Sequence, residues 1–370
     1  MAPGSPLWES PLPMDRRRFQ HGWNNSGNHP GFTHGDYFSA ARRFFEEDHC
    51  SILTPASYRN SIHIDICLMK HGECYHPAKI TVIGNGSREL YVLNVAVSDS
   101  GCRIIDAEIA ALKRLGGLTG PSFIPRVFGQ GSISLDGGSA VRMFLGEWFE
   151  EYHEFHLSAH DPKGLVVWGE QDLPASLSNE AAYIIYHQAA SILTRYYNPE
   201  TTEHISRWHH AAGDFVARCR GSRVDVRLIT VRQYGPLLKM DEIPDKPASQ
   251  SEQVLAALLI FLMGLSIRMR IDRLDGIGEM AWADDIAVIG TWSGFLEGLS
   301  NSYFHSPFLP DPARQFESHL ATYGPSDIHD LAKTMAARLP MTPSEKAVVD
   351  RHLFSHVETL LETISSIGFL

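Results

Sequence analysis

Cysteines are few in this chain, and their arrangement excludes two classes of small stabilised domain. The 370 residues contain 5 cysteines, and no two of them form a CxxC pair. An odd count without paired spacing argues against a disulfide framework and against a zinc ribbon. We therefore expect a reducing compartment and assign the protein to the cytoplasm.

Positive charge and long apolar runs are also scarce. The formal net charge is −11, and because nucleic-acid-binding proteins are usually basic, we expect no nucleic-acid partner. The strongest apolar run, 254–267, is shorter than the roughly 20 residues that span a bilayer, so it predicts a buried helix and no membrane partner. Residues 1–36 lack an apolar segment and an apolar period, which predicts a flexible arm without a secretory signal.

Alternating polarity dominates the next part of the chain, 37–148, and predicts a β-rich domain. A short helix over 37–48 precedes strands at 61–68, 76–83 and 89–97. A helix over 103–115 follows the third strand, and two more strands are predicted around 126–132 and 141–148.

Helical periodicity dominates after Trp148, so 149–370 is predicted to be a mainly helical second domain. The predicted helices cover 179–197, 249–274, 292–303, 328–339 and 344–367. The acidic stretch 150–156 is interpreted as a solvated connector, with metal binding as the alternative. The apolar stripe of 344–367 fits either the domain core or a homodimer interface.

The loop before a predicted hairpin, within 208–232, is the best candidate site. Small residues lie between His210 and Asp214, and apolar strands follow on both sides of Gly221. Asp214 is a candidate general base, and the alternative is a turn aspartate that binds backbone N–H groups. His209 and His210 are candidates for orienting the loop or relaying a proton, with a buried structural role as the alternative.

Several segments occur in a recognisable order along roughly 60–300. They are Tyr91–Val95, the helix with Glu108, the strand Phe144–Phe149, the loop His210–Asp214 and the strand Val226–Arg232. This order resembles the protein-kinase-like fold, in its aminoglycoside phosphotransferase and choline kinase branch. The resemblance implies a bilobed α+β protein, with a small antiparallel five-stranded N-lobe that carries one helix and a larger, mainly helical C-lobe.

The resemblance also implies an activity and its residues. It implies a phosphotransferase that uses ATP and Mg²⁺ on a small hydroxylated or amino substrate. The catalytic residues implied are Asp214 and His210, and the cofactor-binding residues implied are Glu108, Asn94, Glu147 and Arg232.

Three departures from that pattern favour a different outcome. Asn94 stands where the family places a phosphate-binding lysine, and Thr230 and Val231 stand where it places a metal-binding aspartate. The next residue, Arg232, would repel a divalent cation, although with Arg218 it could bind an anion in place of the lysine. Phosphoryl transfer depends on such charges.

Two functions therefore remain open from the sequence. The first is an active phosphotransferase on a small molecule, and the second is a catalytically inactive, pseudokinase-like protein that binds a ligand or a protein partner. An unrelated α+β protein is the third interpretation. A five-stranded antiparallel sheet with one helix after the third strand would support the first two.

Overall fold

The structure is a computed structural model, and the chain forms two compact units. The first unit comprises Met1–Gly117 and Pro125–Glu150, and the second comprises Leu118–Ile124 and Glu151–Leu370. The residues that the structure describes are 3–13, 32–47, 49–50, 63–72, 74–84, 86–135, 140–159, 164–169, 174–209, 213–237 and 249–367.

The first unit contains a five-stranded antiparallel sheet. Its strands are β1 (His63–Leu68), β2 (His76–Gly84), β3 (Ser87–Ala96), β4 (Val127–Ser134) and β5 (Ala140–Glu147). They lie in the order β1-β2-β3-β5-β4, and every neighbouring pair is antiparallel. Helix α2 (Asp99–Gly116) lies between β3 and β4 in the chain. The α+β class, the antiparallel sheet and the single helix after the third strand are as the sequence predicts.

Helix α1 (His34–Glu46) packs on this sheet. It begins within 1–36, the range that was predicted to be a flexible arm. Thr33 and Asp36 form a reciprocal capping box, which explains why the helix begins at residue 34. Within the described part of 1–36, Leu12 is buried and Trp8 stacks on Phe38 with ring centroids 6.4 Å apart. These isolated apolar residues carry no period, and Leu12 nevertheless joins the core.

The second unit adds a second five-stranded sheet, of which the sequence predicts only the hairpin around Gly221. Its strands are β6 (His153–Ser158), β7 (Gly164–Trp168), β8 (Pro174–Ser176), β10 (Phe215–Arg220) and β11 (Arg223–Leu228), in the order β11-β10-β6-β7-β8. Strand β6 therefore replaces the solvated acidic connector that we expected. The polar residues His156 and Ser158 are buried in it, so the strand does not show a polar-out alternation.

Two two-stranded sheets and six helices complete the second unit as described. One sheet pairs β9 (Glu203–Ser206) with β12 (Gln233–Pro236), and the other pairs β13 (Ile271–Arg273) with β14 (Met280–Trp282). The helices are α3 (Asn179–Arg195), α4 (Gln250–Met269), α5 (Asp285–Ser300), α6 (Pro312–Leu320), α7 (Pro325–Arg338) and α8 (Pro343–Ile367). A predicted helix over 249–274 is thus divided into α4 and β13.

The second unit has a tightly packed helical core. Helix α4 is the one described helix with the length and composition of a membrane span, and 72% of its apolar window is buried among the other elements. Helices α3 and α5 approach closely because Gly294 and Gly298 of α5 face α3. A Cβ on Gly294 would overlap the carbonyl oxygen of His187, and one on Gly298 would lie 2.5 Å from Thr194 Cβ.

Candidate functional site

The candidate loop leads into β10 and is fixed at both ends. Trp208 is buried and meets Phe215 edge to face, with ring centroids 5.9 Å apart. Gly213 has a φ of +72°, and a Cβ there would lie 2.5 Å from the Glu154 carboxyl carbon. Only a glycine fits this conformation and this close approach without strain. His210, one of the two predicted catalytic residues, lies outside the described residues.

Asp214 lies at the end of this loop in a closed set of hydrogen bonds. Its side chain is 1% exposed, and Arg232 donates from Nη1 to Oδ2 and from Nη2 to Oδ1, both at 2.5 Å. The His209 backbone N–H donates to Oδ2 at 2.7 Å, and the Ile229 N–H donates to the Asp214 carbonyl at 2.8 Å. The carboxylate therefore ties the loop to the segment that follows β11.

Arg232 is committed to the same arrangement. Besides Asp214, its Nη1 donates to the Arg207 carbonyl oxygen at 3.2 Å. A two-pronged guanidinium–carboxylate contact is the strongest common ion-pair geometry in proteins. The structure thus brings two of the predicted site residues together as partners of each other.

A second contact secures the loop from the other side. His209 Nε2 lies 2.7 Å from Glu345 Oε1, and the Thr342 N–H donates to Glu345 Oε2 at 2.6 Å. Burial alone raises the pKa of Glu345, but the hydrogen bonds from His209 and Thr342 outweigh it and lower the pKa to about 2. His209 therefore has a structural partner at the start of α8.

The remaining predicted residues belong to the first unit. Asn94 is buried on β3 opposite Phe144 of β5, and Glu108 is buried on α2. Glu147 ends β5, where its Oε2 lies 3.3 Å from Arg126 Nε. Asn94 and Glu147 thus lie on the adjacent strands β3 and β5, and Glu108 lies on helix α2.

A buried charged cluster that the sequence did not reveal lies beside the loop. His156 Nδ1 is 3.1 Å from Asp272 Oδ1, its Nε2 is 3.7 Å from Glu154 Oε2, and Asp272 Oδ2 accepts from the Leu157 N–H at 2.7 Å. Burial lowers the pKa of His156, but the two carboxylates outweigh it and raise the pKa to about 9. His156 and Asp272 are 116 positions apart, so no local pattern links them.

The arginines of the predicted hairpin surround a tyrosine and an aspartate. Arg227 Nη1 lies 2.6 Å from Asp225 Oδ1, and Arg218 Nη2 lies 3.4 Å from Asp225 Oδ2. The Tyr152 hydroxyl also donates to Asp225, and the Arg218 guanidinium lies 4.7 Å from the Tyr152 ring centroid. Arg218 and Arg232 are therefore not neighbours in one anion site.

Metal binding was the alternative interpretation of the acidic stretch 150–156. Within the described ranges, no group of three or more His, Cys, Asp or Glu side chains has the geometry to hold a metal ion. Asp284 caps α5 by accepting from the Ile286 N–H at 3.2 Å, and Asp285 lies 3.0 Å from Arg270. Asp284 is therefore the N-cap of α5, and Asp285, the first residue of the helix, is in an ion pair.

Comparisons with known proteins show a distant likeness to solved structures. No protein-family model matches this chain, and no curated protein matches it. Among solved structures, WaaP in complex with acyl carrier protein aligns with 11% sequence identity and a TM-score of 0.28, over 74% of this chain and 89% of that chain.

Proposed function

We propose that this chain is a kinase-like protein that binds a ligand or a protein partner and does not transfer phosphoryl groups through Asp214. The kinase-like part of the proposal is supported by the sheet of the first unit, which has five antiparallel strands and one helix after the third. The Asp214–Arg232 pair carries the second part.

A general base needs access to the proton that it removes. It must come within hydrogen-bond distance of a substrate hydroxyl, directly or through one water. Asp214 is 1% exposed, and both of its oxygens already accept hydrogen bonds, from Arg232 and from the His209 N–H. Separating Asp214 from Arg232 to free the base would leave a buried charge without its partner.

The other expected charges support the same proposal. Asn94, at the position of the expected lysine, is neutral and buried, and Val231, at the position of the expected metal aspartate, is also buried. Catalysis of phosphoryl transfer depends almost entirely on positioning and on neutralising the phosphate charge. The chain offers neither a lysine nor a carboxylate at these two positions.

Release of labelled phosphate from γ-labelled ATP tests this proposal. The purified protein is incubated with millimolar ATP and either Mg²⁺ or Mn²⁺, beside Asp214→Asn and the exposed control Asp350→Asn. We expect no release above buffer by any of the three proteins. Turnover by the unmodified chain that Asp214→Asn abolishes and Asp350→Asn preserves would establish the active phosphotransferase instead.

A double replacement guards against a loss caused by misfolding. In Asp214→Leu/Arg232→Met both charges are removed together, so no buried charge is left without a partner. If the unmodified protein turns over ATP and this folded variant does so equally, the activity does not depend on Asp214. Calorimetric titration with ATP, with and without Mg²⁺, then shows whether the nucleotide binds.

A further inference from the structure

An open cavity lies at the end of the β10–β11 hairpin. Its volume is about 520 Å³, and its lining combines three arginines of the hairpin with the α3 residue Gln188. The arginines are Arg218, Arg220 and Arg223. A cavity of this size falls within the roughly 300–1,000 Å³ of small-molecule sites.

Two of these arginines face each other across the hairpin. Arg220 and Arg223 are direct partners in the antiparallel register, beside the pair Arg218 and Asp225. Like charges directly opposite each other on neighbouring strands destabilise a sheet. Arg220 also pairs with Glu151, whereas Arg223 is exposed and has no ion-pair partner in the portion of the chain described. An anion between the two guanidinium groups would relieve this repulsion.

The surrounding charge is positive in an otherwise acidic protein. Three arginines and one carboxylate line the cavity, whereas the whole chain has a formal net charge of −11. They are Arg218, Arg220, Arg223 and Asp225. This local positive charge favours an anion.

The hairpin is held in place before any ligand arrives. Gln188 of α3 donates from Nε2 to the Val224 carbonyl at 2.8 Å and accepts at Oε1 from the Val226 N–H at 2.9 Å. Arg218 lies over the Tyr152 ring, which limits the freedom of its guanidinium. Such prior ordering reduces the entropy that binding must remove.

We propose that this cavity binds the phosphate group of a small phosphorylated molecule, through Arg220 and Arg223. The guanidinium fork matches two phosphate oxygens at once. The cavity extends from the two arginines towards Gln188 and Ile184, which leaves room for an organic part next to an apolar side chain. This site is separate from Asp214 and does not depend on whether the protein transfers phosphoryl groups.

Calorimetric titration of the full chain with pyrophosphate tests the proposal. Arg223→Glu is the informative variant, because Arg223 is exposed and unpaired among the described residues. A carboxylate opposite Arg220 should raise the melting temperature slightly, so a loss of binding would not come from misfolding. Arg103→Glu, on an exposed position of α2, makes the same charge change elsewhere. We expect saturable binding that weakens about tenfold or more in Arg223→Glu and less than about twofold in Arg103→Glu.

Salt and polymer controls complete the experiment. We expect the affinity for pyrophosphate to fall as NaCl rises from about 50 to about 300 mM, because the contacts are electrostatic. Absence of saturable binding, or equal weakening in both variants, would overturn the proposal. Tighter binding of a short single-stranded oligonucleotide, lost in Arg223→Glu, would also overturn it and would assign the surface to nucleic acid.

Discussion

Replacing Arg232 with methionine removes one partner of the ion pair that joins Asp214 to the segment after β11. Asp214 then keeps one side-chain hydrogen bond, from the His209 N–H, in place of three. Leaving a buried charge without its partner costs about 3–5 kcal/mol of unfolding free energy. The reverse change, Asp214→Asn, should cost less, about 1–3 kcal/mol, because the Arg232 side chain is 21% exposed and retains the Arg207 carbonyl.

The double variant Asp214→Asn/Arg232→Met completes the cycle. Because neither charge remains, we expect it to be at least about 2 kcal/mol more stable than the sum of the single losses predicts. Urea unfolding followed by tryptophan fluorescence measures this, since Trp208 lies next to the loop. A coupling below about 0.5 kcal/mol would refute the pairing and would make Asp214 available again as a base.

Three further changes test other parts of the second unit. The positive charge of His156 stabilises the fold fully below its ordinary pKa of 6.5. We expect the free energy of unfolding to fall by about 3 kcal/mol as pH rises through the folded pKa of about 9, and urea unfolding measures this. Gly213→Ala should destabilise by more than about 1 kcal/mol, because its φ is +72° and the Glu154 carboxyl blocks a Cβ, and thermal melting measures this. Gly294→Ala should lower the melting temperature further, because its Cβ overlaps the His187 carbonyl of the adjacent helix.

Matched controls separate these causes. His156→Gln should show no comparable loss of stability between pH 6.5 and 9, and equal slopes would contradict the assignment. Gly221 has a φ of +61° and open space around it, so Gly221→Ala reports backbone strain without the clash. Gly116 has no atom within 4 Å of a Cβ, so Gly116→Ala should be nearly neutral. Equal losses in Gly294→Ala and Gly116→Ala would exclude steric overlap as the cause.

The first unit could be predicted well because its signals are local. Strand β2 carries a continuous alternation in which Ala78, Ile80 and Val82 are buried. Helix α2 begins at the capping residue Ser98, and its buried residues Ile105, Ile109 and Leu112 repeat with helical spacing. The type of each element is therefore set within about ten residues, and the number of strands was predicted. Helices α1 and α2 both begin earlier than predicted, at His34 and Asp99.

Strand β6 could not be predicted because two of its buried positions, His156 and Ser158, are polar. His156 reads as a solvent-facing residue, yet Asp272 compensates its burial from another part of the chain. The same pair explains why the predicted helix ends early, at Met269. Asp272 must accept the backbone N–H groups of Leu157 and Arg273, at 2.7 Å each, and an extended strand allows this. Compensation across long sequence separation is invisible to any periodicity.

At the candidate site, the residues could be selected from the sequence, but their pairing could not be predicted. Asp214 and Arg232 were both selected from the sequence, one as a base and one as an anion binder, but their mutual contact depends on the path of the β10–β11 hairpin between them. Once paired, each charge satisfies the other. The bilobed arrangement and the use of ATP and Mg²⁺ remain predictions.

The buried charges of Asp214 and Asp272 are paired within the fold, and the arginines at the hairpin cavity are arranged differently. This difference underlies the phosphate site that we propose. A buried charge must be paired within the fold, because desolvation without a partner costs several kcal/mol. Asp214 and Asp272 both meet this condition, which explains their positions without any ligand. Arg220 and Arg223 differ, since two like charges lie opposite each other at an open cavity and only Arg220 has an ion-pair partner, Glu151, among the described residues. The phosphate site that we propose follows from this arrangement, because an anion from outside would relieve the repulsion that the fold leaves.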